Sequence, residues 1–254
     1  KSVSNQTFQE WECIIIDNGS TDNTKEVTDQ FIASDKRFKY IRTEQSGVSA
    51  ARNKGIKECN GTYILPLDAD DKIHPFYLEK AYKALTSKPE VKVVYCDAEL
   101  FGAAKGKWPL PPYSIKDMLI ENCIFCTALF SKSDFEKAGG YSEEMKKGFE
   151  DWDFWLRILK SDADVYKIPE VLFYYRIRHE SRNNTLSDAD QLELRKTIYR
   201  NHKALYDNLL SIPELAFEFY KTKSALKFMQ NSRDYKLGNA IVEKLRTVKK
   251  SFRK

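Results

Sequence analysis

Apolar and polar positions alternate along this chain in short blocks whose lengths separate strands from helices. Trp11 to Ile16 is an apolar run that stops at Asp17, and Asn18-Gly19-Ser20-Thr21-Asp22 follows with turn and helix-capping chemistry. The spacing then predicts a helix from about Thr24 to Ala33, a strand from about Phe38 to Thr43 and a helix from about Val48 to Lys57. Tyr63 to Leu67, preceded by Asn60-Gly61, reads as a buried strand that ends abruptly in Asp68, Asp70 and Asp71. Phe76, Leu78, Ala81, Tyr82 and Leu85 have helical spacing, and Val91 to Cys96 reads as a strand. Gly102 to Pro112 carries no periodicity and reads as a loop. Cys123 to Phe130 is apolar, and Lys137-Ala138-Gly139-Gly140 closes a short helix. Glu150-Asp151 opens another, with Trp152, Trp155, Leu156 and Leu159 at i, i+3, i+4 and i+7. Val165 to Ile168 and Val171 to Ile177 read as two short strands. From about Asp188 the pattern is helical: Leu192 to Leu210, a break at Pro213, Leu215 to Met229, and Tyr235 to Val248.

Strands alternating with helices of about ten residues predict an α/β protein with a mostly parallel sheet flanked by helices. A chain of 254 residues with 42% hydrophobic content supports one large core and an appendage. The expected division is a body over 1–185 and a C-terminal helical region over 186–254. No apolar run approaches the roughly 18 to 20 residues that span a bilayer, and the start lacks the order of a signal peptide. Five scattered cysteines suit a reducing compartment, so the expected location is the cytoplasm. The net charge of +5 is uneven: the stretch from Lys221 onward carries +9 and leaves −4 for everything before it. That basic tail is either a solvated face or a contact with the inner face of an anionic membrane; co-sedimentation with anionic but not neutral liposomes distinguishes the two.

Several polar groups fall where chemistry is expected. Asp17 and the Asp68, Asp70, Asp71 group both end apolar strands, and strand ends of one parallel sheet share a crevice. Carboxylates this close repel one another unless a cation such as Mg²⁺ or Mn²⁺ lies among them; the bland reading is an acidic turn capping the next helix. Arg52 lies early in a helix led by Ser46-Gly47, which suits a diphosphate or nucleobase, or else a surface salt bridge. Asp151 is a helix cap or a general base, and the adjacent Glu150 makes it costlier for both acids to ionise. His179, one of three histidines, is a metal or phosphate contact or a solvated side chain. Cys123-Ile124-Phe125-Cys126 is a lone CxxC, a metal or redox pair or a buried segment.

Ile14-Ile15-Ile16-Asp17-Asn18-Gly19-Ser20-Thr21-Asp22, Gly47-Val48-Ser49-Ala50-Ala51-Arg52-Asn53, Leu67-Asp68-Ala69-Asp70-Asp71, Glu150-Asp151-Trp152-Asp153 and Tyr175-Arg176 with His179, in this order, resemble glycosyltransferase family 2. The resemblance implies the GT-A fold and an inverting transfer of sugar from a nucleotide-diphospho-sugar to an acceptor hydroxyl. It implies that Asp17 contacts the nucleobase, Arg52 the nucleobase or diphosphate and Asp68 the ribose side. Asp70 would hold a divalent metal, Mn²⁺ or Mg²⁺, as part of a DxD motif, and His179 would reach the metal or diphosphate. Asp151 would be the catalytic base. The implied partners are the nucleotide-sugar donor and a saccharide or lipid-linked acceptor, with no nucleic acid, in bacterial surface polysaccharide synthesis.

The family's first strand is expected before Lys1 and is missing from this chain. On that expectation the chain as it stands is a poor catalyst, with its open strand edge covered by another copy or a rearranged segment, so an oligomer is expected. Two rivals remain. A nucleotidyltransferase would release pyrophosphate rather than a nucleoside diphosphate, and an inactive nucleotide-sugar-binding protein would bind donor without turnover.

Overall fold

The isoleucine run forms strand β1 (Cys13–Asp17), which pairs in parallel with β2 (Phe38–Arg42) across the crossover helix α1 (Thr24–Ser34). Helix α2 (Val48–Glu58) packs against β1, where Gly55 leaves room for Ile16: a Cβ on that glycine would lie 3.1 Å from Ile16 Cγ1. Ile14, Ile15 and Ile16 are half-buried. The computed structural model describes residues 1–44, 47–178, 186–232 and 236.

A second, six-stranded sheet follows. It is built from β3 (Tyr63–Ile64), β4 (Lys72–Ile73), β5 (Val93–Gly102), β6 (Gly106–Trp108), β7 (Leu129–Ser131) and β8 (Val165–Ile177), ordered β3-β7-β5-β8-β4 with β6 also on β5. Helix α3 (Tyr77–Ser87) links β4 to β5. The short helices α4 (Ile115–Met118) and α5 (Lys132–Lys137) flank β7, and α6 (Glu150–Ile158) precedes β8. Helices α7 (Asp188–Asn201), α8 (Lys203–Leu209) and α9 (Ile212–Asn231) follow.

The α/β class stands, but the sheet is mixed. Among the described residues only β1–β2 and β5–β8 pair in parallel, whereas β3–β7, β4–β8, β5–β6 and β5–β7 are antiparallel. The antiparallel partners are mostly strands of two or three residues, too short to carry a period of two that a sequence could display. For the same reason the loop expected over Gly102 to Pro112 contains β6. The two strands expected at Val165 and Val171 are one strand: its register against β5 jumps from Cys96↔Ile168 to Asp97↔Val171, so Pro169 and Glu170 form a bulge where proline needs no ladder hydrogen bond. The run before Asp68 is a strand only at Tyr63–Ile64, and of its residues through Leu67 only Ile64 is buried.

Helix α6 is anchored by large buried side chains. Trp152, Phe154, Trp155 and Leu156 are all buried, and each indole N–H is satisfied, Trp152 Nε1 by Met118 O at 2.6 Å and Trp155 Nε1 by Ile124 O at 3.1 Å. Phe130 of β7 meets Phe154 and Trp155 edge-on at 5.1 and 5.6 Å. Burying each such ring contributes about 1.5–3 kcal/mol, so the start of α6 is held rigidly. The buried Asp153 of this helix lies beside His202 Nε2 (3.0 Å), Asn201 Nδ2 (3.0 Å) and Arg157 Nη2 (2.6 Å).

Burial alone would raise the pKa of Asp153, but hydrogen bonds from His202 and Asn201 and the charge of Arg157 overcome it, and the net shift is downward. A carboxylate with a depressed folded pKa stabilises the fold above its unfolded value near 4 and loses that contribution as pH falls. Asp153→Asn, which leaves Arg157 without its charge partner, is therefore expected to cost about 3–5 kcal/mol at pH 7. The gap to wild type should shrink below about pH 4. Thermal unfolding of both chains at the two pH values measures this.

The chain divides into two compact units, Lys1–Lys203 and Ala204–Lys254. The expected boundary at 185/186 falls before α7, whereas α7 belongs to the first unit through its buried Leu194 and Ile198 and the Asp153 contacts at its end. In the second unit, α9 has Pro213 in its first turn, where the missing N–H is harmless. The helix expected from Tyr235 to Val248 and the basic residues of the tail beyond Lys236 lie outside the described residues. No helix among the described residues is long and apolar enough to cross a membrane.

Candidate functional site

Pairing of β4 with β8 sets Lys72 opposite Tyr174 and so brings the acidic turn against the end of β8. Arg176 N donates to Asp71 Oδ1 (2.8 Å), Arg176 Nε to the Asp70 carbonyl (2.9 Å), and Arg178 Nη2 lies 2.9 Å from Asp70 Oδ2. Tyr175-Arg176, noted as a motif in the sequence, is thus the clamp on the turn. Burial, with the neighbouring charges of Asp68 and Asp70, pushes the Asp71 carboxyl up to about 7. The mutual repulsion of three neighbouring carboxylates is met here by Arg176 and Arg178, and a bound cation would relieve it in the same way.

Arg52 joins this turn to α6. Its Nη2 lies 3.0 Å from Asp68 Oδ1 and 3.1 Å from Cys126 Sγ, and its Nη1 lies 2.9 Å from Glu150 Oε1. The guanidinium carbon sits 5.5 Å from the centre of the Tyr141 ring. Only 11% of the side chain is exposed, so the surface salt-bridge reading fails. Residues 16 and 98 positions away in sequence meet at this one group.

Asp151 is the second residue of α6. The cap position is taken by Phe149, the one non-glycine among the described residues with positive φ (64°), so Asp151 is not the helix cap. A bulky residue in the left-handed region is strained, and such strain persists where surrounding packing fixes it. Here Phe149 lies edge-on to Trp152 at 5.3 Å, and Arg195 sits 5.1 Å from the Trp152 ring. The strained turn sets Glu150 and Asp151 side by side at the helix start.

Burial pushes the Asp151 carboxyl up, to about 6, and the charge of Glu150 pushes in the same direction; Arg52, the Trp152 N–H and Asn122 oppose them. Asn122 Nδ2 donates to Asp151 Oδ2 at 3.1 Å and fixes the carboxylate plane. A base of this pKa, desolvated and oriented, suits proton abstraction near neutral pH. Asn122 carries no sequence signal, since it lies in the loop before the apolar segment and meets Asp151 only in the fold.

Asp17 has a different environment. Its carboxylate accepts from Tyr40 Oη (2.5 Å) and Ser20 N (2.7 Å), with Arg42 at 3.8 Å, and 1% of the side chain is exposed. The Tyr40 hydrogen bond, then that of Ser20, lowers its pKa to about 2. Asp17 therefore braces the loop after β1. His179 and Ser46 lie outside the described residues.

Cys123 and Cys126 are free thiols. Burial pushes Cys123 up to about 12 and Cys126 well above its ordinary value, so both are protonated and neither is poised for metal or redox chemistry. The buried-segment reading of the CxxC holds.

Among the described residues no group of three or more His, Cys, Asp or Glu side chains is placed to hold a metal ion. Asp68 and Asp70 are 50% and 32% exposed. This donor set fits Mg²⁺ or Mn²⁺, which commonly take one or two protein carboxylates and complete the shell with water and phosphate oxygens.

A family model described as glycosyl transferase family 2 matches residues 1–139, and one described as the N-terminal domain of galactosyltransferase matches residues 116–180. An uncharacterized glycosyltransferase of Methanocaldococcus jannaschii is 28% identical over 82% of this chain and 76% of its own length. A putative teichuronic acid biosynthesis glycosyltransferase of Bacillus subtilis is 29% identical over 81% of this chain and 82% of its own. Among solved structures, S. aureus TarS 1–349 in complex with UDP-GlcNAc superposes with a TM-score of 0.65 at 18% identity over 79% of this chain, which spans 60% of that one. The mannosyltransferase PcManGT from Pyrobaculum calidifontis, in complex with GDP-Man and Mn²⁺, gives a TM-score of 0.57 at 16% identity over 94% of this chain and 77% of its own.

Proposed function

Since the chain belongs to glycosyltransferase family 2 and has the GT-A fold, we propose that it moves a sugar from a nucleotide-diphospho-sugar to an acceptor hydroxyl with inversion at the anomeric carbon. The observation that carries this reading is the Asp151 carboxylate: half-buried, oriented by Asn122, raised to about 6, and joined through Glu150 and Arg52 to the acidic turn. Asp151 takes the proton of the acceptor hydroxyl as that oxygen bonds to the anomeric carbon, and the bond to the diphosphate breaks on the opposite face. Positioning of acceptor against donor supplies much of the rate.

Arg52 acts in this scheme as the organiser of two carboxylates, since both of its terminal nitrogens already face them. Asp17 and Arg42, at the ends of β1 and β2, shape the nucleobase side. Asp70, with Asp68 beside it, would hold the divalent ion, which when bound neutralises the leaving diphosphate. A neighbour's complex with Mn²⁺ supports this. Relatives named for teichuronic acid biosynthesis and as a chondroitin synthase support a polysaccharide product. A saccharide or lipid-linked acceptor fits that product, and the basic tail would favour an anionic membrane surface.

A donor screen tests the reading. Nucleoside diphosphate release that depends on Mn²⁺ or Mg²⁺ is expected; pyrophosphate release would point to a nucleotidyltransferase, and donor binding without release to an inactive binding protein. Asp70→Ala is expected to remove the metal-dependent part of nucleoside diphosphate affinity in calorimetric titration, because the ion and the phosphates complete one shell. Unchanged affinity with Mn²⁺ present would remove Asp70 from the metal site.

A further inference from the structure

Helix α7 carries none of the sequence motifs of the cleft, yet its contacts converge on the start of α6. Leu194 and Ile198 bury its inner face. Near its beginning Asp190 pairs with Lys147, on the loop that leads into α6. At its far end Asn201 Nδ2 and His202 Nε2 both meet Asp153 Oδ1 at 3.0 Å. Between these two attachments lies Arg195. Its Nη1 donates to Ile120 O at 2.6 Å, and its guanidinium carbon sits 5.1 Å from the centre of the Trp152 ring and 5.9 Å from that of Phe149.

These partners stand on both sides of Asp151. Ile120 shares a loop with Asn122, whose amide holds the Asp151 carboxylate. Phe149 and Trp152 bracket Glu150-Asp151, and Phe149 is the strained left-handed cap. Such a conformation persists only where its surroundings over-determine it, and Arg195 is one of its neighbours. Arginine suits this place, because a guanidinium can donate to a carbonyl while it lies against an aromatic ring. Without it the Asn122 loop and the cap of α6 would be free to part. Water would then reach a carboxylate whose raised pKa comes chiefly from burial. The charged groups that act on that carboxylate are Glu150, which raises its pKa, and Arg52, which lowers it, and neither lies on α7.

We propose that α7 is a strap across the start of α6 and that Arg195 is a positioning residue for Asp151, tying the Asn122 loop to the turn that presents the carboxylate. The part this plays in transfer rests on reading Asp151 as the base, so the test includes an arm that needs no substrate.

Carbon-13 NMR of the aspartate carboxyls, with Asp151→Asn to assign the resonance, follows the titration of Asp151 in the whole chain. Wild type should titrate near 6. In Arg195→Met the value should fall toward the ordinary one near 4, as water enters. Loss of a positive charge alone would raise it, so the downward direction marks positioning. Arg195→Lys should lie between the two, and carries the comparison if Arg195→Met does not fold. Leu85→Ala, a core change in α3, should lower Tm and leave the titration near 6. With a donor found in the screen, nucleoside diphosphate release by Arg195→Met should fall about tenfold or more, with UDP or GDP affinity in Mn²⁺ unchanged. The proposal is overturned if the Arg195→Met titration stays near 6 or rises, or if Leu85→Ala lowers it equally. It is also overturned if Arg195→Met releases product normally where Asp151→Asn is inactive. Normal release by Asp151→Asn together with the expected NMR result would remove the base reading and support the strap.

Discussion

Asp151→Asn should lower turnover by about a hundredfold or more while leaving nucleoside diphosphate affinity nearly unchanged, the pattern of a lost general base. The amide has the shape of the carboxylate, and an oxygen of the amide can still accept from Asn122 or from the Trp152 N–H. The cap of α6 is Phe149, so helix stability does not depend on the charge of Asp151. In the wild-type chain the acid limb of kcat/KM should fall near pH 6, since the carboxyl is pushed up to about that value and must be ionised to take a proton. Activity should rise with pH through that limb. A variant with normal turnover would remove Asp151 from the chemistry, and one that unfolds would make its role structural.

Arg52→Met is expected to destabilise the chain on the same scale as Asp153→Asn. Glu150 has 9% of its side chain exposed and lies against Arg52; without the guanidinium its buried charge loses that partner, at a cost of about 3–5 kcal/mol. The same change removes a cation that lowers the pKa of Asp151, so whatever activity remains should have its acid limb displaced to higher pH. Arg52→Lys keeps the charge but cannot span both carboxylates with a planar fork, and should restore part of the stability without the geometry. Thermal unfolding with the pH profile separates the two effects: unchanged Tm in Arg52→Met would show that the Glu150 pair contributes nothing net.

The sequence displayed those parts of the site that are contiguous. Asp68, Asp70, Glu150 and Asp151 are visible because each follows or opens a periodic segment, and Tyr175-Arg176 because it ends a strand. What brings them together was not visible. The Arg52 bridge joins α2, the acidic turn and α6 across 16 and 98 residues, and Asn122 reaches Asp151 from a loop with no pattern. The partial desolvation of Asp151 is also a property of the fold: the sequence suggested helix-end hydrogen bonds opposed by Glu150, and desolvation exceeds both. Helices α1, α2 and α6 were legible within a residue or two because they span at least two turns of periodic spacing, whereas the helix expected over Leu192 to Leu210 is divided into α7 and α8, with α7 starting at Asp188. The antiparallel strands β4, β6 and β7 were not, because two or three residues hold no period. Buried hydrogen-bond partners such as Asp153 and His202 escape a reading based on apolar faces for the same reason that they matter: each depends on a residue far away in sequence.

The central claim is a single displacement driven by Asp151, and the anomeric configuration of the product tests it most directly. With a donor of defined configuration, proton NMR of the first glycoside formed should show the opposite anomer, as attack on the face away from the diphosphate requires. A product that keeps the donor's configuration would contradict this account.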